Sequence, residues 1–533
     1  MYLIAHHILS PLGNGTEANW QAILAGKTAI RRYDGRWASV EPFCASLFEE
    51  YPVVHDAAGV PYSVFLSLCI RSTEAAIADS ELDTTSSDVV FILSTTKGDN
   101  LDLLTPAKTL AAYFHNPNSP IVVSSACTSG VSAQVVAWRL LHTGRYKHAV
   151  IVGCDVQTRF IVSGFQSFKA LSPEPCRPFD KARCGLNAGE AVATMVFSTE
   201  RPDTAVQPWI LAAGSIHNDA NHISGPSRTG EGSKLCLDDV KGNHTALVCV
   251  HGTATVYNDE MESIALHRAG LDAVPVLALK SYYGHTMGAA GIVETILAAK
   301  AMDEGVVPAC LGYDERGTTY PLQVANALQP VQKGDFVKLL SGFGGCNAAV
   351  RFTRQPRQVP TVQDAASRAV CEITIRDDEN ITALYRRHIG DYPKFFKMDT
   401  LAKLGIVGTE MLMQQCREQH LPMPGNPALV FGNRSASIAN DTDYLATISD
   451  PDNYYPSPAL FVYTLPNIVT GEIAIRHKWY GETCFYILSG EAQLLDIARA
   501  TLSTTQHDCA IVGWVECQSK TNYFAHIQLL WKN

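Results

Sequence analysis

Residues 121–144 read IVVSSACTSGVSAQVVAWRLLHTG, a short apolar run followed by small residues and then by a helical pattern of apolar positions. This order predicts a buried strand that turns into a helix, with Cys127 at the helix N-terminus. The free N–H groups and the dipole of a helix start stabilise a thiolate, so we expect a lowered thiol pKa and a nucleophilic sulfur. The backbone N–H of Cys127 is expected to point at a developing oxyanion. The alternative is a small buried core residue, the usual position of a free cysteine.

The same alternation of apolar strands and helical stretches continues through residues 1–355. It predicts an α/β fold with strands buried on both faces. The predicted strands include VVFIL (89–93), IVVSS (121–125), AVIVG (149–153), ALVCV (246–250) and VPVLAL (274–279).

Composition limits the function classes. The chain has 533 residues, enough for several domains, and its net charge of −10 argues against nucleic-acid binding. The 15 cysteines are scattered without a Cys-x-x-Cys pair, which favours reduced thiols in the cytoplasm over disulfides or a zinc site. The N-terminus does not resemble a signal peptide, and no apolar run is long enough to predict a membrane span.

Two histidines follow predicted strand ends. His251 opens HGTATVYNDEMES after the strand at 246–250, and His285 lies in KSYYGHTMGAAGIVE. Ligands of α/β folds bind at such strand ends, so we expect both imidazoles to face Cys127. A single histidine is more often structural, but two histidines with a strand-to-helix cysteine favour catalysis.

Charged and flexible residues near these histidines form a supporting group. Lys280 ends a strand, and its charge would favour a thiolate and keep a nearby imidazole neutral, unless it is a surface lysine. Glu294 follows on the next helix and is expected to anchor Lys280. The GFGG turn at 342–345 provides a flexible backbone that could gate a pocket.

The C-terminal region repeats part of the N-terminal region. Residues 68–74 (LCIRSTE) match 404–410 (LGIVGTE), and CTSGVSAQ (127–134) matches ILSGEAQ (487–493). In this alignment Ile487 lies opposite Cys127. The second copy therefore keeps the scaffold and lacks the thiol.

Five blocks of the chain together resemble the signature blocks of β-ketoacyl-[acyl-carrier-protein] synthases, most closely the elongating type II enzymes. They occur in the family's order within residues 1–355. The blocks are SSACTSG (124–130), SPEPCRPFDKARCGLNAGE (172–190), HGTATVYNDEME (251–262), KSYYGHTMGAAGIVE (280–294) and SGFGGCNAAV (341–350). One departure is Ala191-Val192 after Gly189-Glu190, where the family often has GEGA.

The resemblance implies a thiolase-like five-layer α/β fold of two similar βαβαβαββ halves, with an additional thiolase-like half domain. It divides the chain into a synthase N-terminal half (1–205), a C-terminal half (206–355), a linker (356–369) and a degenerate copy of the N-terminal half without a nucleophile (370–533). A lone half would leave an apolar sheet face exposed. We therefore expect the degenerate copy to pack on the face that family members use for dimerisation.

The resemblance also implies the reaction and its residues. Decarboxylative condensation of malonyl-carrier protein with an acyl thioester would use the triad Cys127, His251 and His285. Lys280, Glu294 and Phe343 match the family's lysine, glutamate and gating phenylalanine, and Thr253, Thr255 and Gly344 support them in the same blocks. The partner would be acyl carrier protein, with no metal or organic cofactor and no nucleic acid. Synthase chains would form a homodimer, or pair in cis or trans with the degenerate copy.

Three function classes stay open from the sequence. The first is an active synthase of fatty acid, polyketide or aryl-polyene-type chain elongation. The second is a non-catalytic or chain-length-determining partner of another synthase, which the intact triad disfavours. The third is a thiolase acting on coenzyme A esters, for which Cys346 beside the GFGG turn would be the second cysteine.

Overall fold

The computed structural model describes residues 1–39, 41–355 and 367–532. The strands in this part of the chain are β1 (Tyr2–Ser10), β2 (Gly13–Asn14), β3 (Ile30–Tyr33), β4 (Phe43–Ser46), β5 (Val89–Ser94), β6 (Ile121–Val123), β7 (His148–Asp155), β8 (Ala188–Gly189), β9 (Ala191–Ser198), β10 (Ile210–Asn218), β11 (Thr245–Cys249), β12 (Pro275–Leu277), β13 (Val306–Val307), β14 (Gln323–Val324), β15 (Gln329–Pro330), β16 (Asp335–Gly342), β17 (Cys346–Thr353), β18 (Ser367–Arg376), β19 (Ala428–Asn433), β20 (Thr483–Ile487), β21 (Cys509–Ser519) and β22 (Asn522–Lys532).

The α-helices alternate with these strands. They are α1 (Thr16–Leu24), α2 (Val64–Ser80), α3 (Leu104–Tyr113), α4 (Ser129–His142), α5 (Arg159–Ser167), α6 (Glu231–Val240), α7 (Val256–Arg268), α8 (Lys280–Tyr283), α9 (Ala290–Glu304), α10 (Ile381–His388), α11 (Thr400–Glu418), α12 (Ile438–Ala446), α13 (Pro458–Tyr463), α14 (Ile468–His477) and α15 (Glu491–Thr504). None of the described helices is long and apolar enough to cross a membrane.

Three groups of strands repeat one arrangement. In each group two antiparallel pairings are followed by two parallel pairings. The strand orders are β1-β9-β7-β5-β6 in the first unit, β10-β17-β16-β11-β12 in the second unit and β18-β22-β21-β19-β20 in the third unit. The predicted α/β fold is confirmed, and the third unit has the strand order of the first.

The first and third units are joined at their equivalent edge strands. β6 pairs with β20 in the antiparallel direction, with Val123 opposite Tyr486 and Val122 opposite Ile487. Each strand is the last of its own sheet, so the pairing relates the two units by an approximate two-fold axis. One sheet therefore runs continuously through both units, and neither edge strand keeps free hydrogen-bonding groups along this pairing.

The predicted linker at 356–369 lies largely outside the described residues. β18 begins at Ser367, three residues before the predicted start of the last region at residue 370. The predicted boundary at 205/206 falls between β9 and β10. The division of the chain into separate domains stays a prediction.

The predicted alignment of Cys127 with Ile487 is wrong. Ile487 is the last residue of β20 and pairs with Val122, whereas Cys127 lies beyond the end of β6 in the turn before α4. The equivalent turn of the third unit is the segment between β20 and α15, residues 488–490 (LSG), which precedes the first helical residue Glu491. Short runs of small residues match at several offsets across this strand end, so the sequence alone misplaces the position. The conclusion that this position lacks a thiol is unchanged.

The third unit does not expose an apolar sheet face, contrary to the sequence-based argument. Along β18, buried Cys371, Ile373 and Ile375 alternate with exposed Glu372, Thr374 and Arg376. Polar side chains of the neighbouring β22 continue this outer face, where His526 contacts Glu372 and Glu491. The face that a second half would cover is thus already suited to water.

Two glycines let the central helices of the first and second units cross closely. A Cβ on Gly130 of α4 would lie 3.0 Å from the Cα of Gly291 on α9, and one on Gly291 would lie 2.5 Å from the backbone nitrogen of Val131. Gln134 fixes the crossing by donating from Nε2 to the Gly291 carbonyl at 3.1 Å. This close approach brings the N-terminal ends of both helices, and the turns before them, to one place.

Candidate active site

The nucleophile candidate lies in a tight turn at the start of α4. Residues 126–128 form one 3₁₀ turn, and Ala126 adopts a left-handed conformation with φ of 50°. The turn before α9 shows the same feature at Met287, also with φ of 50°. Non-glycine residues in this region are uncommon and mark functional or strained turns. The two turns face each other because their helices cross at Gly130 and Gly291.

The three predicted triad residues meet in one cavity. The Cys127 Sγ and ring nitrogens of His251 and His285 all lie within 4.8 Å of one another. The two imidazole rings are 5.2 Å apart at an angle of 80°. The cavity has a volume of about 400 Å³ and also exposes Thr253, Thr255 and Phe343. A thiol and two imidazoles thus converge on a space that admits a small reacting group.

Backbone contacts fix the position of each histidine. Glu262 accepts a hydrogen bond from the His251 N–H at 2.6 Å and one from the Gly252 N–H at 2.8 Å. The His285 N–H donates to the Asn187 carbonyl at 2.7 Å, and the His285 carbonyl accepts from Gly189 at 2.9 Å. The block at 172–190 therefore acts on the site by holding the backbone of His285.

The imidazoles themselves are left without protein partners. Nδ1 of His251 and both ring nitrogens of His285 are buried without a hydrogen-bond partner in the described part of the chain. Burial, reinforced by the Lys280 and Lys338 charges, holds the pKa of both histidines well below the usual value. Both rings are therefore neutral at physiological pH, and each can donate one hydrogen bond to a bound oxygen.

The expected acidic thiol is not found. Burial raises the pKa of Cys127 to about 12, although the Lys280 charge and a backbone hydrogen bond oppose the rise. The prediction of a lowered pKa was wrong because it counted the helix start and not the desolvation of the sulfur. In the resting protein the sulfur therefore carries its proton.

Lys280 and Glu294 form the predicted ion pair behind the cavity. The Lys280 Nζ lies 2.7 Å from Oε1 of Glu294, and both side chains are buried. Lys338 on β16 contacts the other oxygen of Glu294 at 2.5 Å and donates to the Val250 carbonyl at 2.8 Å. Both lysine charges hold the pKa of the Glu294 carboxyl below its usual value. Two ammonium groups on one carboxylate leave net positive charge behind the histidines.

The remaining predicted residues take different positions. Thr253 and Thr255 line the cavity, and their hydroxyl oxygens lie 2.9 Å apart. The Phe343 ring packs 5.6 Å from that of Phe168 at the cavity wall. Gly344 is turned away, towards the third unit. A Cβ there would lie 2.6 Å from Nδ2 of Asn467.

Three site residues were missed by the sequence analysis. Glu262 accepts hydrogen bonds from the backbone of His251 and Gly252, and Lys338 forms an ion pair with Glu294. Asp155 ends β7 and accepts hydrogen bonds from the Gly288 N–H at 2.7 Å and the Thr95 hydroxyl at 2.8 Å, which ties down the turn after His285. A lysine inside the apolar run FVKLL (336–340) was the available signal for Lys338, since a charge in a buried strand needs a partner.

Cys346 does not occupy the position of a second catalytic cysteine. Its Sγ is buried among the carbonyls of Ser125 (3.4 Å) and Phe343 (3.3 Å) and the Thr128 hydroxyl (3.4 Å). It does not line the cavity that contains Cys127. All 15 cysteines are free.

Comparison with known families matches this site region. Residues 63–202 match the family model "Beta-ketoacyl synthase, N-terminal domain", and residues 209–314 match "Beta-ketoacyl synthase, C-terminal domain". The chain is 28% identical over 411 residues to 3-oxoacyl-[acyl-carrier-protein] synthase 2 of Vibrio cholerae, covering 65% of this chain and 97% of that protein. It is 32% identical over 243 residues to nodulation protein E of Rhizobium meliloti, covering 43% and 60% respectively.

Solved structures show the same fold. One is a ketosynthase in complex with its chain length factor from Xenorhabdus doucetiae, with a TM-score of 0.59, 24% identity and coverage of 66% of this chain and 97% of that one. Another is the PfaC keto synthase-chain length factor, with a TM-score of 0.77, 14% identity and coverage of 100% and 78%. The predicted thiolase-like fold is confirmed. The two family models that match residues 63–202 and 209–314, and the 3-oxoacyl-[acyl-carrier-protein] synthases that match along nearly their whole length, make β-ketoacyl synthases the proteins that this chain resembles.

Proposed function

We propose that this protein elongates acyl chains held on acyl carrier protein, with Cys127 as nucleophile and His251 and His285 as a neutral pair of hydrogen-bond donors. The observation that carries the proposal is the convergence of the thiol and the unpartnered imidazoles in one cavity. Malonyl-carrier protein would provide the two-carbon unit. A cytoplasmic location and fatty acid, polyketide or polyene-type products remain part of this proposal.

The first stage is acyl transfer to Cys127. The sulfur attacks the carrier thioester, a new carbon–sulfur bond forms, and the carrier thiol leaves with the proton that Cys127 gives up. Because burial raises the thiol pKa to about 12, the proton must leave as the thioester enters. The Lys280 charge and the N–H groups at the start of α4 favour the negative sulfur during this step.

The second stage forms the carbon–carbon bond. The bond between the malonyl α-carbon and its carboxylate breaks, CO₂ leaves, and the electron pair becomes an enolate. Both imidazoles donate to the enolate oxygen, and their neutrality suits a group that gains negative charge. The enolate carbon attacks the acyl thioester, Cys127 leaves as thiolate, and one proton is taken up. This chemistry requires no metal or organic cofactor.

We also propose that the third unit, residues 367–532, is a degenerate copy of the first and takes the place of a partner subunit in cis. The support is the common strand order and the pairing of β6 with β20. The turn between β20 and α15, residues 488–490 (LSG), contains no cysteine, and in the described residues the cluster of a thiol and two imidazoles occurs at Cys127. A wholly non-catalytic chain is disfavoured because the first two units keep a complete triad.

The third unit also contributes to an aromatic cluster beside the cavity. Phe461 of α13 packs against Phe165 at 5.5 Å and Phe168 at 6.3 Å, and Tyr444 of α12 packs against Phe160 at 4.8 Å. A Cβ on Gly164 would lie 2.1 Å from the Phe461 ring, so this ring fills the space above α5. We propose that an acyl chain on Cys127 grows towards this cluster and that Phe461 limits its length.

Replacing Phe461 tests the chain-length proposal. We expect Phe461→Ala to shift the product distribution upwards by about one or two two-carbon units, because the cavity left by a phenylalanine can admit more methylenes. Phe396→Ala is the control, since its ring is exposed on the same unit. An unchanged product length in a folded Phe461→Ala protein would show that this ring does not limit the chain.

The reaction itself is tested with carrier-bound substrates. The protein is incubated with malonyl-carrier protein and a short acyl-carrier protein, and the carrier-bound product is followed by intact mass. We expect a product longer by two carbons that is absent with Cys127→Ala. No product and no acylation of Cys127, with a carrier protein proven active on another synthase, would contradict the proposal. Coenzyme A esters in place of carrier thioesters separate a thiolase from a synthase.

A further inference from the structure

The loop of residues 342–345, which carries Phe343, is held from the opposite side by the third unit. Nδ2 of Asn467, at the start of α14, donates a hydrogen bond to the Phe343 carbonyl at 2.8 Å. One turn later, a Cβ on Gly471 would lie 2.4 Å from the Gly344 carbonyl oxygen. The Gly344 backbone therefore rests directly on the first turn of α14.

The same loop reaches the nucleophile. A Cβ on Gly342 would lie 3.3 Å from the backbone nitrogen of Cys127 and 3.4 Å from the Cβ of Ala126. Phe343 lines the cavity beside Cys127. A shift of α14 against the first unit would thus move the backbone that touches the turn of Cys127.

Asn467 does not use its side chain as helix-starting asparagines usually do. It occupies the N-cap position of α14 but makes no side-chain cap hydrogen bond. Its Oδ1 is buried without a partner, and its Nδ2 points to the loop. An asparagine at this position ordinarily stabilises the helix through its oxygen. In α14 this capping hydrogen bond is absent, and the side chain bonds to the Phe343 carbonyl instead.

The equivalent helix of the first unit, α3, has a different N-terminus. Leu103 occupies the N-cap position of α3, where α14 has Asn467. Ala107 lies four residues later, where α14 has Gly471. Its first N–H groups are capped in the ordinary way by Asp102, which accepts from Leu104 at 3.1 Å and Thr105 at 3.0 Å. Of these two helices, α14 carries the asparagine and the glycine and contacts the loop of residues 342–345.

From these contacts we propose that Asn467 and Gly471 are positioning residues that hold the Phe343 loop in its productive place over Cys127. The proposal rests on the proposed condensing function and assigns the third unit a role in the reaction step as well as in chain length. Asn467 acts through the loop and does not touch the reacting atoms.

The test uses the full chain with Asn467→Ala, Asn467→Asp and Gly471→Ala. Asn467→Asp keeps the shape and removes the donor, and Gly471→Ala keeps the donor and pushes on the Gly344 carbonyl. Asn440→Ala is the matched control, because Asn440 is a buried asparagine of the same unit that donates to a carbonyl outside the loop, that of Leu460. The readouts are single-turnover acylation of Cys127 and hydrogen exchange of the segment 341–346.

We expect all three variants to lower kcat for acylation by about 10- to 100-fold with little change in KM for the carrier thioester, because small misplacements of a reacting geometry cost this much. Hydrogen exchange of the segment 341–346 should rise, while Tm changes no more than in Asn440→Ala. Wild-type rates and exchange in these variants, or an equal loss in Asn440→Ala, would overturn the proposal. If the wild-type protein is not acylated at all, the proposed function fails, and hydrogen exchange alone decides whether Asn467 holds the loop.

Discussion

The first and third units share one strand order, but their central helices have different surroundings. In α4 all residues except Trp138 are buried, because a sheet lies on either side of the helix and α9 crosses it at Gly130. In α15 the buried residues are confined to one face, with Ala492 and Arg499 exposed. The fold of a single unit is therefore compatible with either a buried or an exposed central helix.

The difference shows what the catalytic site requires beyond the scaffold. The turn at Cys127 lies near two histidines and a buried lysine pair because the second unit provides all four. Glu491, the first residue of α15, contacts His526 instead and is partly exposed. The turn at Cys127 is covered by the second unit, whereas the third unit contacts both the first unit and the 342–345 loop of the second unit.

The largest expected effect comes from moving the thiol from the turn before α4 to the first residue of α15. We expect the double variant Cys127→Ala, Glu491→Cys to condense at least about 10³-fold more slowly than the wild type, because no pair of imidazoles faces position 491. Intact-mass detection of the carrier-bound product gives the rate, with Cys127→Ala alone as the baseline. Activity clearly above that baseline would mean that the scaffold alone is sufficient.

A buried ion pair joins the two units and should dominate their docking. Arg139 of α4 contacts Glu482 through both guanidinium nitrogens, at 2.5 and 2.6 Å, with side chains 2% and 1% exposed. We expect Arg139→Ala to lower the free energy of unfolding by about 3–5 kcal/mol, since it leaves a buried carboxylate unpaired. Chemical denaturation with two-state fitting measures the loss.

Arg145 provides the control for that ion pair. It follows α4 and contacts Asp496 of α15 between the same two units, but the arginine side chain is 46% exposed. Arg145→Ala should therefore cost at most about 1 kcal/mol. Equal losses in both variants would show that burial does not distinguish the two contacts.

The thiols of the two units should differ in access more than in acidity. Burial raises the pKa of Cys127 to about 12 and that of Cys484 in β20 to about 11, but only Cys127 lines a cavity. We expect iodoacetamide to label Cys127 about tenfold faster for each pH unit between 7 and 9.5, without a plateau, while Cys484 stays unlabelled. Peptide mass mapping after timed quenching measures both rates.

The charge of Lys280 should raise the rate at which Cys127 is labelled at each pH. Its positive charge lowers the Cys127 pKa against the effect of burial. Lys280→Met should therefore raise the thiol pKa and slow the labelling at every pH in the same range. A plateau near neutral pH in the wild type would instead indicate a resting thiolate.

The smallest effect is expected on the outer face of the third unit. Thr374 on β18 is exposed and Ile373 is buried, so the two test opposite faces of one strand. We expect Thr374→Ile to change the free energy of unfolding by less than about 0.5 kcal/mol, whereas Ile373→Thr costs about 1–3 kcal/mol. Light scattering of Thr374→Ile should show weak self-association, because an apolar residue then joins an exposed sheet face.

The sequence predicted the fold class, and the three residues that it proposed as a triad lie in one cavity. The β-then-α rhythm and the strand-end positions of His251 and His285 depend on local patterns, which one chain displays. The acidity of Cys127 could not be predicted in this way. Its pKa depends on desolvation by residues distant in sequence, and that effect outweighs the nearby helix start.

The strand register and the contacts between units could not be predicted from the sequence either. The position opposite Cys127 was misplaced because runs of small residues match at several offsets, whereas the strand ladder fixes the offset at Val122 and Ile487. The holding of Phe343 by Asn467 joins residues more than a hundred positions apart. The sequence shows an asparagine at the start of a helix, and only the fold shows that its side chain points to a loop of another unit.

The pairing of β6 with β20 has a consequence for how the assembly behaves in a cell. Both strands belong to one polypeptide, so their association is unimolecular, with an effective concentration far above that of separate subunits. Dilution cannot separate the two surfaces. Each chain contains one active centre and one third unit, so their ratio is fixed at one to one. Specific activity should therefore not fall at nanomolar protein concentration, and exchange with the matching surface of another synthase is disfavoured from the moment the chain folds.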